Sequence, residues 1–204
     1  MSGAATGGAG VGEAFAAAAD AFVIPAFAAP PGGGPGRRAS SLVLRAPGGA
    51  GAVLVDTSSA GVGPGWPDVV WSLVEPDEVR YVVLSGDRPG QVGHLAVVRA
   101  ACPSAVVVGP RTHRDVEVGR RRIRLVPTPG GQAAFDESTG LLWTDDLLPT
   151  PPVPGDDTAT DTAWLHELVA LGPRLVGSVR APLATGDEVL RAFRLAHRAL
   201  VGAR

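Results

Sequence analysis

Short apolar runs alternate with amphipathic stretches along most of this chain, and the alternation predicts a mixed α/β fold. The run at residues 80–84 has no polar alternation, so we expect a strand that is buried on both faces. Other apolar runs also have the length and composition of strands. These are residues 41–44, 52–55, 105–108, 123–126, 141–143 and 174–178.

Helical periodicity and end signals predict four helices, at residues 66–74, 92–101 and 161–171 and from residue 185 onward. The third ends at a Gly-Pro pair, and the fourth begins with a capping-box pattern. Two strands precede the first buried strand–helix unit. A simple Rossmann order, which begins with strand–helix alternation, is therefore disfavoured.

Stretches rich in Gly, Ala and Pro define the predicted domain organisation. Residues 1–12 are expected to be a mobile N-terminal segment, and residues 30–40 and 149–162 are expected to be loops. The length of 204 residues is typical of one domain with a sizeable core. We therefore expect a single domain over residues 13–204.

Composition excludes several classes of protein. All 18 basic residues are Arg, against 20 acidic residues, and the net charge of −2 argues against a nucleic-acid or anionic-membrane partner. Without Lys there is no P-loop or Schiff-base chemistry, and Cys102 alone forms no internal disulfide or Cys-rich metal cluster. The apolar stretch 14–29 is interrupted by Asp20 and follows no basic residue. We therefore expect neither a signal peptide nor a membrane span, and a cytoplasmic location.

Four segments, in order, carry a familiar pattern: VLVDT at 53–57, YVVLSGDRPGQVGHL at 81–95, VPTPGG at 126–131 and LLWTDD at 141–146. They resemble the motifs LIDTG, LTHxHxDHxGGL, TPGHT and LFxGD of the metallo-β-lactamase fold superfamily. The resemblance runs from about residue 20 to the C-terminus and implies a four-layer αββα sandwich. The nearest likeness is to the oxygen-reducing flavodiiron branch.

The resemblance implies two zinc or iron ions in a cleft at the strand ends, but the ligand positions are substituted. Those positions fall, in chain order, on Gly86, Arg88, Gly90, Gln91, Gly131, Asp146 and Arg180. Only Asp146 is a competent ligand, because glycine has no side chain and arginine is a permanent cation. One carboxylate does not hold a divalent ion against water, so we expect no metal cofactor.

Other nearby residues are candidates to replace the lost ligands. Asp87 and Asp145 would have to turn inward from positions that the family points elsewhere. His94 lies one helical turn beyond the site, and His113 lies among cations. Asp56 resembles the structural aspartate at a strand end of the family, so we expect it to support the site loop rather than to catalyse.

The substitutions change the charge of the predicted cleft. Arg88 and Arg180 fall there together with Asp146, and we expect an arginine to replace the metal ions as the counter-charge to that carboxylate. Two interpretations stay open. The arginines form a purely structural ion pair, or one of them is free to bind a phosphate or carboxylate in an anion pocket.

A basic run at residues 120–124 has two similar interpretations. As a solvated edge strand it would place Arg121 and Ile123 on one face and Arg122 and Arg124 on the other. The alternative is a local phosphate-binding patch, which the acidic remainder of the surface disfavours.

Three functions follow, and the first is favoured. It is a non-catalytic binding or scaffolding module, a pseudoenzyme, whose partner is a small anionic ligand or a protein and which can also form a homodimer. The second is a metallo-hydrolase or di-iron oxidoreductase relative with an unconventional site. The third is a metal-independent enzyme that reuses the cleft, with Asp146, Asp87 or an arginine as the catalytic group.

Overall fold

The computed structural model describes residues 9–29, 36–110, 115–145, 163–188 and 190–191. The strands in these ranges are β1 (Gly10–Val11), β2 (Phe15–Ala18), β3 (Ala21–Ile24), β4 (Ala26–Ala28), β5 (Arg37–Arg38), β6 (Ser41–Arg45), β7 (Ala52–Val55), β8 (Val79–Val83), β9 (Val106–Val108), β10 (Val116–Val118), β11 (Arg121–Thr128), β12 (Gly131–Asp136), β13 (Leu141–Thr144), β14 (Leu175–Ser178) and β15 (Ala184–Thr185). The α-helices are α1 (Gly65–Leu73), α2 (Pro89–Val92), α3 (Leu95–Ala101) and α4 (Ala163–Ala170).

Two six-stranded sheets form the body of the protein. The N-terminal sheet has the order β2-β3-β6-β7-β8-β9, and the C-terminal sheet has the order β10-β11-β12-β13-β14-β15. Strands β7, β8 and β9 run parallel to one another, as do β13 and β14, while the other neighbours are antiparallel. A third, three-stranded sheet has the order β1-β4-β5.

The core lies between the two six-stranded sheets, and strand alternation explains it. On β7, Val53 and Val55 belong to the apolar cluster shared with the C-terminal sheet, whereas Leu54 belongs to a second cluster on the opposite face. Successive side chains of a strand point to opposite faces, so a strand buried on both faces carries no polar positions. The shared cluster includes Ile123 and Trp143 of the C-terminal sheet.

Helices cover the two outer faces. Trp66 and Val70 of α1 and Val98 of α3 pack in the outer cluster of the N-terminal sheet. Leu165 and Leu168 of α4 pack in a third cluster on the outer face of the C-terminal sheet. The predicted four-layer αββα sandwich is therefore confirmed. In the described part of the chain, no helix is long and apolar enough to cross a bilayer.

Every strand that the sequence predicts is found within one or two residues, except that the strand expected at 123–126 extends over Arg121–Thr128. The helix expected at residues 92–101 is instead two helices, α2 and α3. They are separated because the backbone N–H groups of Gly93 and His94 donate to the carbonyl oxygens of Ser58 and Thr57, at 2.8 and 3.1 Å. The loop after β7 thus takes the hydrogen bonds that a continuous helix would keep.

Two segments that the sequence predicts to be mobile or a loop contain short strands in the structure. Gly10–Val11, inside the segment expected to be mobile, forms β1 and pairs with β4. Within the loop expected at residues 30–40, Arg37–Arg38 forms β5 and also pairs with β4. The loop at 149–162 and most of the helix expected after residue 185 lie outside the described residues.

The basic run at residues 120–124 is not an edge strand. Strand β11 lies between β10 and β12, and Arg121 is buried together with Asp136 of β12 at an N–O distance of 3.1 Å. The predicted alternation is correct, since Arg122 is exposed and Ile123 is buried. The interpretation as a solvated edge is wrong for Arg121 because the carboxylate of Asp136 neutralises it inside the sandwich.

Candidate functional site

The site forms where the parallel strands β7 and β8 end, because the carboxyl ends of parallel strands meet at one edge of a sheet. Asp56 follows β7 with a φ of 61°, and Ser85 follows β8. The Ser85 backbone N–H and hydroxyl each donate to Asp56 at 2.8 Å, and Trp143 Nε1 donates to it at 2.9 Å. Asp56 is fully buried, and no arginine is among these partners.

Burial raises the pKa of Asp56 to about 7, against the lowering effect of the Ser85 and Trp143 hydrogen bonds. The negative charge of Asp145 raises the pKa further. Burial disfavours the ionised carboxyl because it removes the hydration of the charge, and the neutral donors around Asp56 offset only part of that loss. Asp56 therefore acts as a structural hub beneath the site, as the sequence suggests, and its carboxyl is closed to a substrate.

Gln91, at a predicted ligand position, is instead the link between this hub and the loop above it. Its amide donates from Nε2 to Ser85 Oγ at 3.0 Å, and its Oε1 accepts from the backbone N–H of Arg88 at 2.9 Å. Its backbone carbonyl accepts from the Thr57 N–H and hydroxyl, at 2.6 and 2.9 Å. The polar atoms of this buried side chain are thus used within the protein.

Gly86 is complementary to Gln91. A Cβ atom at Gly86 would lie 2.5 Å from Nε2 and 2.6 Å from Oε1 of Gln91. The Gln91 side chain therefore fills the space into which a side chain at position 86 would project. A ligand cannot be added at Gly86 while Gln91 keeps this conformation.

Gly131 is closed to any side chain by the main chain itself. It has a φ of 153°, and a Cβ there would lie 2.0 Å from the carbonyl oxygen of Ser85. At the preceding residue, Gly130, a Cβ would lie 3.7 Å from Asp145 Oδ2 and 3.9 Å from an Arg88 Nη2. The residue of this turn that faces the charged group is thus Gly130.

Arg88 and Arg180 converge on one carboxylate, that of Asp145. Arg88 Nη1 lies 3.1 Å from Asp145 Oδ2, and Arg180 Nε lies 3.7 Å from Oδ1. The side chain of Asp145 is only 8% exposed, whereas those of Arg88 and Arg180 are 48% and 46% exposed. Asp145, which the sequence names as a candidate only if it turns inward, follows β13 and lines the cleft. The predicted partner, Asp146, lies outside the described residues.

The cleft around this triad has a volume of about 680 Å³. Arg88, Gly90, Gln91, Asp145 and Arg180, all named from the sequence, line it. Its charged lining also includes Arg37 and Arg38 of β5, which the sequence analysis placed in a loop and did not connect with the site. The sequence signal that points to these two residues is an adjacent pair of arginines directly after a Gly- and Pro-rich stretch.

The other candidates are not brought into the cleft. Asp87 is exposed on the loop after β8. His94 is buried and stacks on Trp66 with ring centroids 5.0 Å apart, and its two ring nitrogens lie 3.2 Å from the carbonyl oxygens of Thr57 and Gly63. His94 is therefore a packing residue. His113 lies outside the described residues.

The side chains that the structure describes at this site do not fit the pair of metal ions that the resemblance implies. Among the described residues, no group of three or more His, Cys, Asp or Glu side chains could hold a metal ion. Asp145 lies beside two guanidinium groups, whose positive charges would repel a metal cation at this carboxylate. Arginine cannot lose its proton to become a ligand.

No protein-family model matches the sequence, and no curated protein sequence matches it. Solved structures do match. A diflavin flavoprotein fragment from Nostoc sp. has a TM-score of 0.70 at 15% identity, over 94% of this chain and 98% of that one. A metal-soaked flavodiiron core from Synechocystis sp. has a TM-score of 0.68 at 17% identity, over 92% and 60%. The flavodiiron protein from Giardia intestinalis has 0.70 at 11%, over 93% and 60%.

These likenesses define the fold, which is the metallo-β-lactamase-like sandwich found in the core of flavodiiron proteins. The resemblance stated from the four sequence motifs is confirmed at this level. The chain spans about 60% of the length of the flavodiiron structures from Synechocystis and Giardia.

Proposed function

We propose that this protein is a non-catalytic binding module on a metallo-β-lactamase-like sandwich, in which arginine side chains take the place of a dinuclear metal centre. The observation that carries the proposal is the convergence of Arg88 and Arg180 on Asp145. Both arginines stand at positions where the resemblance implies metal ligands, and the carboxylate that they neutralise belongs to Asp145, next to the implied bridging ligand Asp146.

The hydrogen bonds around the cleft support the same conclusion. Gln91 and Ser85 connect to Asp56 and to one another, and His94 is stacked on Trp66. None of these side chains is presented to a substrate, and Asp56, a carboxyl with a strongly raised pKa, is fully buried. General acid–base catalysis needs the group within hydrogen-bond reach of the reacting atom. The described residues of the cleft offer permanent cations instead.

The test is the metal content of the full chain, purified without chelator and then incubated with Fe²⁺ or Zn²⁺ and dialysed. We expect far less than one metal ion per chain by elemental analysis, both before and after the incubation. Retention of about two ions per chain would contradict the proposal and would favour the di-iron oxidoreductase or metallo-hydrolase alternative. Asp146→Ala is the matched variant, since it removes the one carboxylate at the ligand positions that the resemblance implies and should abolish any metal retention that depends on them.

A further inference from the structure

The cleft that holds the arginine pair carries an excess of positive charge. Arg37, Arg38, Arg88 and Arg180 line it, and Asp145 is the one carboxylate among its described lining residues, so the formal balance is +3. Among the described residues, neither Arg37 nor Arg38 forms an ion pair, although Arg38 lies over the ring of Phe27 at 5.2 Å. The protein itself is slightly acidic, with a net charge of −2. The positive charge is thus concentrated at this cleft.

Most N–H donors of the arginine pair remain available to a ligand. A guanidinium carries five N–H donors, and a carboxylate has only two oxygens to accept from them. Arg88 makes one short contact with Asp145, at 3.1 Å, and the Arg180 contact of 3.7 Å is longer than a hydrogen bond. Both side chains are about half exposed toward the cleft, with 48% and 46% of their surface accessible.

We propose that the cleft binds a small molecule that carries a diphosphate or comparable polyphosphate group, held by Arg88 and Arg180 on one side and Arg37 and Arg38 on the other. This inference rests on the proposed function, because two resident metal ions would compete for the same cleft. Guanidinium groups bind phosphate oxygens in a forked, bidentate geometry. A diphosphate matches the excess charge of the cleft, whereas a monocarboxylate leaves most of it uncompensated.

The size and the remaining lining fit an organic phosphate rather than a bare ion. Small-molecule sites span about 300–1,000 Å³, and this cleft measures about 680 Å³. Its other walls are small and apolar, formed by Ala28, Ala29, Ala39 and Val179 among others. These walls leave room for the organic part of the ligand beside the charged groups.

Asp145 has two opposite effects on anion binding at this site. Its carboxylate orients Arg88 and Arg180, but it also repels an incoming anion. Replacement by the nearly isosteric Asn removes the repulsion and frees the guanidinium donors that Asp145 now engages. Asp145→Asn should therefore bind the phosphate ligand about three- to tenfold more tightly, an effect that a purely structural ion pair does not predict.

The experiment measures binding of pyrophosphate to the EDTA-treated full chain by calorimetry and thermal melting, with citrate as a probe of comparable charge. We expect pyrophosphate at ten times its Kd to raise the Tm by about 3–5 °C, and citrate to bind at least tenfold more weakly. The variant Arg37→Gln/Arg38→Gln should weaken pyrophosphate binding at least tenfold. Arg99→Gln, an exposed residue of α3 outside the cleft, is the matched control and should change nothing.

Three results would overturn the inference. They are no pyrophosphate binding to the wild type, equal binding of citrate and pyrophosphate, and unchanged binding in the Arg37→Gln/Arg38→Gln variant. If that double variant fails to fold, Arg37→Gln alone carries the test, because Arg37 is exposed. The metal analysis tests the proposed function independently of this inference. Bound iron or zinc would contradict the proposed function, whatever the outcome of the pyrophosphate titration.

Discussion

Two arginine–aspartate pairs in this protein have the same N–O distance, 3.1 Å, and opposite surroundings. Arg121 and Asp136 are sealed inside the sandwich, with 2% and 0% of their side chains exposed. Arg88 and Asp145 lie in the cleft, where the arginine is 48% exposed. A contact distance alone therefore does not distinguish a structural pair from a binding site.

The two pairs differ in the partners of the polar atoms that do not take part in the arginine–aspartate contact itself. Asp136 also accepts from the hydroxyls of Ser138 and Thr139, and Arg121 also donates to the carbonyl oxygen of Ala19 at 3.2 Å. These bonds direct the sealed pair into the protein, where Arg121 Nε is the buried atom of the pair that makes no hydrogen bond to the described residues. In the cleft, Arg88 shares Asp145 with Arg180 and keeps donors that face solvent. The sealed pair stabilises the fold, and the open pair is suited to bind a ligand.

The largest expected effect is on the sealed pair. Arg121→Gln leaves the Asp136 carboxylate buried without its cation, and we expect the free energy of unfolding to fall by about 3–5 kcal/mol. Urea denaturation at pH 7 measures the loss. The matched control is the exposed neighbour Arg122→Gln, which should cost less than about 1 kcal/mol. Similar losses in the two variants would remove the contrast on which the comparison depends.

A second prediction concerns Asp56, which is sealed as Asp136 is but has no arginine. Its folded pKa is about 7 against an ordinary value of 3.8, so the folded state keeps this proton over a range where the unfolded chain has lost it. The contribution of Asp56 to stability is full below about pH 4 and is lost as the pH rises through 7. The total is on the order of 4 kcal/mol.

Denaturation curves at several pH values from 4 to 8 test this dependence. Asp56→Asn, which does not titrate, should lack the decline between pH 4 and 7 that the wild type shows, although its absolute stability will differ. Trp143→Phe removes a donor to the ionised carboxylate and should move the decline to higher pH. An identical pH profile in wild type and Asp56→Asn would contradict the assignment of the raised pKa.

A smaller effect is expected where the sealed network meets the open cleft. Gly86→Ala pushes a methyl group into the Gln91 amide, which must give up its bonds to Ser85 and to the Arg88 backbone. We expect a loss of about 1–3 kcal/mol. In a Gln91→Ala background the same change should cost much less, and a double-mutant cycle by urea denaturation measures this coupling. Additive losses would show that Gln91 does not fill the space beside Gly86.

The smallest effect is expected in the cleft. Arg88→Gln or Arg180→Gln should each lower the free energy of unfolding by less than about 1 kcal/mol, because both guanidiniums are half exposed and the other still faces Asp145. The double variant should lose more than the sum of the two, since it removes both cations from a buried carboxylate. Chemical denaturation at pH 7 is the measurement. A single variant as damaging as Arg121→Gln would mark this pair as structural.

The sequence predicts the strands that are apolar on both faces better than β12 and the N-terminal strands. Strands such as Ala52–Val55 are recognisable because both faces are buried and every position is apolar. Strand β12 was missed because Gln132 and Asp136, both buried, interrupt its apolar character. The Gln132 amide donates to the carbonyl oxygens of Leu84 and Gly109, partners that a local pattern does not reveal. The strands β2, β3 and β4 were missed because residues 14–29 form an Ala-rich apolar stretch without regular alternation of polar and apolar positions.

The sequence predicts that arginines lie in the cleft, but it does not predict which carboxylate they contact. The motif positions identify Arg88 and Arg180 as residues of the cleft and identify the loss of metal ligands there. They do not identify Asp145 as the shared carboxylate, since the motif assigns the ligand to the next residue, Asp146. Nor do they reveal Arg37 and Arg38, which reach the cleft through the pairing of β5 with β4. That pairing depends on tertiary structure.

The start of β12, after its turn from β11, leaves no room for a metal-binding side chain at Gly131. An imidazole introduced at Gly131 needs a Cβ atom that would sit 2.0 Å from the Ser85 carbonyl oxygen, and that oxygen also accepts from the Gln132 N–H at 2.8 Å. Building a metal centre into this cleft is therefore a problem of hairpin design before it is one of ligand choice. An engineer would have to reroute the main chain first.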